Sequence, residues 1–237
     1  HYEDSRVADR GVSSYQGRPV NVDISTFFGD PNRSPTGSKV DAFNLQLEHD
    51  FGGGASLRNR SRYAHYDKFY QNIYPGAVSA DGSQVSISAY NNATQRENFI
   101  NQTDLIFKLN TGSWTHTILA GTEIVRQNTS NLRNTGYFTA IGPNTTSVKV
   151  DLDNPIYAGP ISFRPSATDA NNQGVATTYA GYFQDQLVFN QYWQAIFGVR
   201  YDRFEMDFIN NRSQQNILTY DNLVSPRGGL IFKPFGE

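Results

Sequence analysis

Hydrophobic and polar residues alternate along most of this chain, and no helical period of any length competes with that pattern. From Val40 to Phe51 the odd positions are Asp41, Phe43, Leu45, Leu47, His49 and Phe51. The even positions are Val40, Ala42, Asn44, Gln46, Glu48 and Asp50. Successive side chains of a strand point to opposite faces, so this spacing predicts a strand with one mainly apolar and one mainly polar face. The same alternation predicts a strand over 97–110, with Phe99, Thr103, Leu105, Phe107 and Leu109 on one side. It predicts another over 193–204, where Trp193, Ala195, Phe197, Val199 and Tyr201 oppose Gln194, Gly198, Arg200 and Asp202. Segments 114–127 and 177–189 follow it less cleanly.

The connections fall into two kinds. "DFGGGA" (50–55), "NTGSW" (110–114) and "NQYW" (190–193) are short enough to close tight hairpins. Long polar stretches at 11–36, 73–92, 129–174 and 208–221 read as loops, longer than a compact soluble domain usually carries. Short turns at one end and long loops at the other suit a transmembrane β-barrel. Phe51, Trp114, Tyr192 and Trp193 sit beside the short turns, where an interfacial aromatic girdle would lie. A soluble β-sandwich, with its aromatics filling a core between two sheets, fits the same alternation.

Composition narrows the chemistry more than the fold. The 237 residues include 16 Phe, 14 Tyr, 20 Gly and one Met, which favours strands and turns over helices. A net charge of -2 gives no reason to expect nucleic acid as a partner. The absence of cysteine removes disulfides, thiolate metal sites and thiol nucleophiles. No apolar run is long enough for a membrane-spanning helix, and "HYEDSRVADRG" has no signal-peptide pattern. The mean hydropathy of -0.55 does not separate a soluble protein from a barrel, because half of each barrel strand faces water.

Particular stretches go further. "TTYAGYFQDQLVFNQYWQAIFGVRYDRF" (177–204) resembles a barrel hairpin of TonB-dependent siderophore receptors, and "SPRGGLIFKP" (225–234) is similar to the strand that follows it there. "HTILAGTEIVRQ" (116–127) and "LRNRSRYAHYDKFYQNIYPG" (57–76) resemble two further strands of that family. "ADRGVSSYQGRPV" and "STFFGDPNRS" look like a surface loop of its catecholate-type branch. The resemblance runs in order along essentially the whole chain. It implies an antiparallel up-and-down β-barrel segment, about seven strands of a 22-stranded barrel, with 1–237 all belonging to the barrel domain. Residues 1–8 would be the tail of one strand and about 222–234 the last. The family's N-terminal plug domain and its aromatic-ended C-terminal strand have no counterpart here.

What the resemblance implies about function is import of ferric siderophore complexes, catecholates favoured, across a Gram-negative outer membrane. The expected partners are the siderophore, the plug domain, the TonB complex acting through that plug, and outer-membrane lipid. No cofactor is expected, since iron would arrive already chelated. Arg58, Arg60, Arg62, Asp104, Gln184, Gln186, Arg200, Asp202 and Arg227 would line the lumen and face the plug. Arg10, Tyr15, Arg18, Phe27, Phe28, Tyr70, Tyr74, Tyr90, Arg133, Tyr137 and Phe138 are the loop candidates for ligand contact. Arginines and aromatic faces suit an anionic catecholate complex through charge and stacking.

Other chemistry is poorly supported. "FGGGA" lacks the residues of a phosphate loop, and "DANNQG" (169–174) lacks the final glutamate of a calcium loop. The four histidines have no metal-ligand spacing. A barrel-rim hydrolase would need a compact acid and histidine cluster, for which His65 and Asp67 are the only close pair. The chain is therefore expected not to be an enzyme, and a soluble sandwich binding carbohydrate or protein is the alternative reading.

Overall fold

The computed structural model describes residues 1–8 and 11–235. The described strands are β1 (Tyr2–Val7), β2 (Ser14–Tyr15), β3 (Arg18–Pro19), β4 (Pro35–Gly52), β5 (Ala55–Val78), β6 (Gln84–Thr111), β7 (Trp114–Phe138), β8 (Ser147–Asp151), β9 (Ile161–Arg164), β10 (Asn171–Val188), β11 (Trp193–Asn210) and β12 (Gln215–Phe232). A single 3₁₀ turn, Pro31–Arg33, interrupts the loop between β3 and β4. One sheet contains all but β2 and β3, which form a hairpin of their own. Its neighbours run β1-β4-β5-β6-β7-β10-β11-β12, with β8 added to β6 and β9 to β7. All strand pairs are antiparallel, so the chain goes up and down the sheet.

The main path has eight strands, where about seven were expected. The larger difference is length. Two stretches that read as long loops are mostly paired backbone: β5 and β6 run through 73–92 with only 79–83 between them, and 208–221 holds the turn 211–214 between β11 and β12. The last strand therefore starts at Gln215, and in 129–174 the strands β7, β8, β9 and β10 all take part. The polar composition of these segments hid the strands, because they are rich in Asn, Ser and Thr and read as loop. At about 3.3 Å per residue the 24 residues of β5 extend roughly 80 Å, whereas about 10 tilted residues cross a bilayer.

Register confirms the two faces. The row Gln46, Arg60, Gln102, Glu123, Ala180, Asp202 and Leu223 runs directly across seven strands on the polar face. The neighbouring residues alternate to the other face, where Phe43, Leu45, Leu47, Tyr63, Phe99, Leu105, Phe183, Phe197, Val199 and Leu230 remain exposed. Among the described residues no second sheet covers them, so these apolar residues do not form the core that a β-sandwich requires. Trp114 packs edge-on against Phe189, and Trp193 lies 4.6 Å from Phe232, both beside short turns.

The buried core lies at the other end, where the strands run on. Ile73, Val85, Ile87 and Ala89, on the extensions of β5 and β6, carry the apolar face upward and pack with Phe138, Val20, Phe28 and Tyr157. Strands β8 and β9 bring Val148, Val150, Ile161 and Phe163 to the same cluster. The segments 11–34 and 152–160 are fastened to each other there. Arg33 donates from Nη1 to the Gly159 carbonyl and from Nη2 to the Tyr157 carbonyl, both at 2.8 Å, and from Nε to Asp30 at 2.6 Å. Gly29 makes this approach possible: its φ is +107°, and a Cβ would lie 1.8 Å from the Ile73 carbonyl oxygen.

Candidate ligand-binding face

The polar face changes character along its height. Nearest the short turns three of its arginines, Arg58, Arg60 and Arg200, are paired with carboxylates in place. Arg58 lies 2.5 Å from Glu48, and Arg60 lies 2.9 Å from Asp104, a buried carboxylate. The Tyr182 hydroxyl donates to the other oxygen of Asp104 at 2.5 Å and accepts from Gln102 at 2.9 Å. Arg200 is held by Asp202 (2.8 Å) and Glu123 (2.8 Å) at once. Its guanidinium also lies 5.5 Å from the Tyr182 ring. That ring lies across Gly121, where a Cβ would come within 2.5 Å of it. A strand glycine here makes room for an aromatic from the next strand. Gln184 and Arg227 line the recess beside Tyr182 and Arg200, and Gln186 bonds Gln194 at 3.4 Å. All nine residues expected to line a lumen thus share one face, and the pairing of Arg200 with Asp202 is structural bonding within the wall.

Toward the far end the same face becomes aromatic and basic. Tyr70, Tyr74 and Tyr90 meet edge-to-face at 5.6 and 5.4 Å, and the guanidinium of Arg133 stacks 4.0 Å above Tyr90. Arg164 stacks 3.7 Å above Tyr137 and donates to Pro143 and Asn144 in the loop beyond. Asp169 anchors the chain that closes this end: it accepts from the Thr135 and Ser166 amides at 2.8 and 2.7 Å and lies 3.5 Å from Arg133. Burial is the largest single influence on its carboxyl and pushes its pKa up. The hydrogen bonds from Ser166 and Thr135 together outweigh it and hold the group below the usual carboxylate range.

The structure divides the loop candidates. Tyr70, Tyr74, Tyr90, Arg133 and Tyr137 come together on the polar face. Phe28 and Phe138 do not join them: both are fully buried in the loop core, on the opposite side of the sheet, where they stabilise the loops and cannot touch a ligand. Tyr15 packs against that core and donates its hydroxyl to the Ala80 carbonyl. Arg18 is exposed on the small hairpin, Phe27 is half-buried in the loop, and Arg10 lies outside the described residues. Arg164 was missed; its polar-face parity in "ISFR" was the available signal, lost because the segment read as loop. Among the described residues no group of His, Asp and Glu is arranged to hold a metal, and no helix is long and apolar enough to cross a membrane.

A single open sheet with long strands, short turns at one end and a polar face opposed to an exposed apolar one is a piece of β-barrel wall. The chain belongs to the family described as TonB dependent receptor-like, beta-barrel, whose pattern it matches over residues 1–236. It is 27% identical to the metal-pseudopaline receptor CntO of Pseudomonas aeruginosa, over 98% of this chain and 33% of that protein. It is 25% identical to a probable TonB-dependent siderophore receptor, PiuA, of Acinetobacter baumannii, over 95% and 32%. The crystal structure of that PiuA superposes with a TM-score of 0.80 at 21% identity, covering 98% of this chain and 36% of that one. The ferric-catecholate import receptor Fiu of E. coli K12 gives 0.70 at 18% identity, over 96% and 36%. The chain thus spans about a third of the length of the curated relatives it matches.

Proposed function

We propose that this chain is part of the wall and outer loops of a receptor in the outer membrane of a Gram-negative bacterium, which binds and imports ferric siderophore complexes. The polar face lines the lumen and faces a plug domain of the same full-length protein. The apolar face meets lipid, and the long-loop end is extracellular. The TonB complex, acting through the plug, supplies the energy, and iron enters already chelated. A catecholate ligand fits the aromatic and arginine-rich upper face best, because stacked guanidinium and phenol groups suit flat, electron-rich, anionic rings.

The observation that carries this reading is the family match over residues 1–236, on a sheet whose one face is paired charge and whose other is exposed Phe, Leu and Val. The function so read is transport. His65 and Asp67, the pair an enzyme might have used, sit on the apolar face with His65 turned 3.8 Å from Glu97, which favours no hydrolytic arrangement.

The test uses the full-length receptor. Purified in detergent, it should bind a ferric tris-catecholate, and cells carrying it should accumulate the iron only while TonB is functional. Equal accumulation with and without TonB would contradict the proposal.

A further inference from the structure

The apolar face of the sheet is not apolar throughout. At mid-height on β5 and β6 four polar side chains interrupt it and bond to one another. Asn59 and Asn101 exchange two amide hydrogen bonds, each 3.4 Å long. Asn59 also donates to the Thr103 hydroxyl at 2.8 Å, and Asn101 donates to the Ser61 hydroxyl at 2.8 Å. Ser61 in turn donates to the Asn59 amide oxygen at 3.1 Å. Register fixes the face: Leu47, Asn59, Thr103 and Thr122 stand in one row, and Leu45, Ser61, Asn101 and Ile124 in the next. Leu45, Leu47, Tyr63, Phe99, Leu105 and Ile124 surround the patch, and all six are exposed.

The height of the patch is what makes it unusual. Asn59 and Ser61 lie four and six residues beyond Ala55, where β5 begins. At about 3.3 Å per residue and a tilt of about 40°, they stand roughly 10–15 Å up the wall. That is near the middle of an apolar band about 25 Å tall, where lipid tails offer neither donor nor acceptor. Polar groups at that depth are costly and call for a partner. The network meets the need only in part. Its reciprocal amide contacts are long, its four side chains stay partly exposed, and Thr122 beside them is exposed.

The chemistry of the patch identifies what would cover it. A carboxamide is donor and acceptor at once, so a patch of amides is complementary to itself. Neither row carries a charge across β4 to β7, so two identical patches can meet without opposing like charges. A two-fold axis along the membrane normal brings the same residues of two copies face to face and keeps both receptors upright. The apolar rim would then close around the shared amides.

We infer that this patch is an interface within the membrane for a second copy of the same receptor, with Asn59 and Asn101 of each copy exchanging amide bonds across a two-fold axis. The interface rests on the receptor reading above, since only lipid makes the exposed amides costly.

The test counts copies of the full-length receptor, singly labelled and reconstituted in phosphatidylcholine bilayers over a series of densities. Two-step photobleaching should reveal dimers. Asn59→Leu/Asn101→Leu should lower the association constant at least about tenfold, or about 1.4 kcal/mol. Leu45→Trp, which crowds the rim and leaves the amides intact, should lower it as well, whereas Val199→Trp on the distant β11 should not. A receptor that stays monomeric across the series would overturn the interface, as would dimers that survive both the double variant and Leu45→Trp. A lower melting temperature of the double variant with unchanged dimers would make the network a brace within one barrel and overturn it too. A probe on Thr122→Cys separates these failures from failure of the receptor reading. In monomers a lipid-borne quencher should reach it. Monomers whose probe is quenched from lipid would remove the interface and leave the receptor reading standing. A probe reached instead by a charged aqueous reagent would place this face in water and overturn both.

Discussion

The two ends of this sheet solve the burial problem in opposite ways. Near the short turns the strands leave Phe43, Leu47, Phe197 and Leu230 exposed and bury their polar contacts against one another. At the long-loop end the same face is covered by Phe28, Phe138, Tyr157 and Val20. A buried large side chain gains about 1.5–3 kcal/mol from leaving water, so a strand extension in water needs its own cover. A strand in lipid does not, because the surrounding solvent is already apolar. On the proposed receptor reading, the point at which loop residues begin to cover the apolar face, around Ile73 and Ala89, marks where the wall leaves the membrane.

This contrast can be broken most strongly from the covered end. Phe28→Ala should cost about 3–5 kcal/mol of local stability by opening a cavity beneath the loop latch. Hydrogen exchange on the full-length receptor should then show faster exchange across 20–34 and 152–160, with β10 to β12 unchanged. Equal loss of protection in the wall would mean that the two ends are one cooperative unit.

The complementary change attacks the exposed end. Phe197→Arg, in the middle of the apolar band, should destabilise the receptor in lipid by about 2–4 kcal/mol, measured by urea unfolding in bilayers. The same change on a water-exposed surface would have little effect, so a null result would remove lipid from that face. Gly121→Ala should have a smaller effect, displacing the Tyr182 ring and loosening its bond to Asp104, read as a rise in exchange of the Tyr182 neighbourhood without loss of the fold.

The finest test is by pH, and it acts on the loop end alone. The Asp169 carboxyl is held below its usual range in the folded state, so its contribution is fully present above about pH 4. It should fade as the pH falls through the lowered value. Local opening of 165–171 should therefore increase in acid, and Asp169→Asn should show that opening at neutral pH. Asp81, held to about 2 by the Ser79 and Ser83 hydroxyls of an exposed turn, should keep titrating near that value by NMR with no consequence beyond its turn.

The lower wall was legible in the sequence because one exposed apolar face and one paired polar face give period-two alternation. Rows such as Phe197, Val199 and Tyr201 against Arg200 and Asp202 leave no other strand reading. The upper strands were not legible, because "VSISA" (85–89) keeps the alternation for only a few residues inside the polar stretch 73–92, which reads as loop. For the same reason the candidate set mixed two populations. Phe28 and Tyr90 look alike in sequence, yet a loop core holds one and the polar face of the sheet the other.

The central claim is that one set of alternate residues meets lipid and the other meets water inside a barrel. This segment contributes no cysteine of its own, so single substitutions along β11 can report directly in the full-length receptor. Phe197→Cys and Val199→Cys should resist a charged thiol reagent and respond to a lipid-borne quencher, while Gly198→Cys and Asp202→Cys should do the reverse. Equal access of the aqueous reagent to both sets, in intact membranes, would contradict the account.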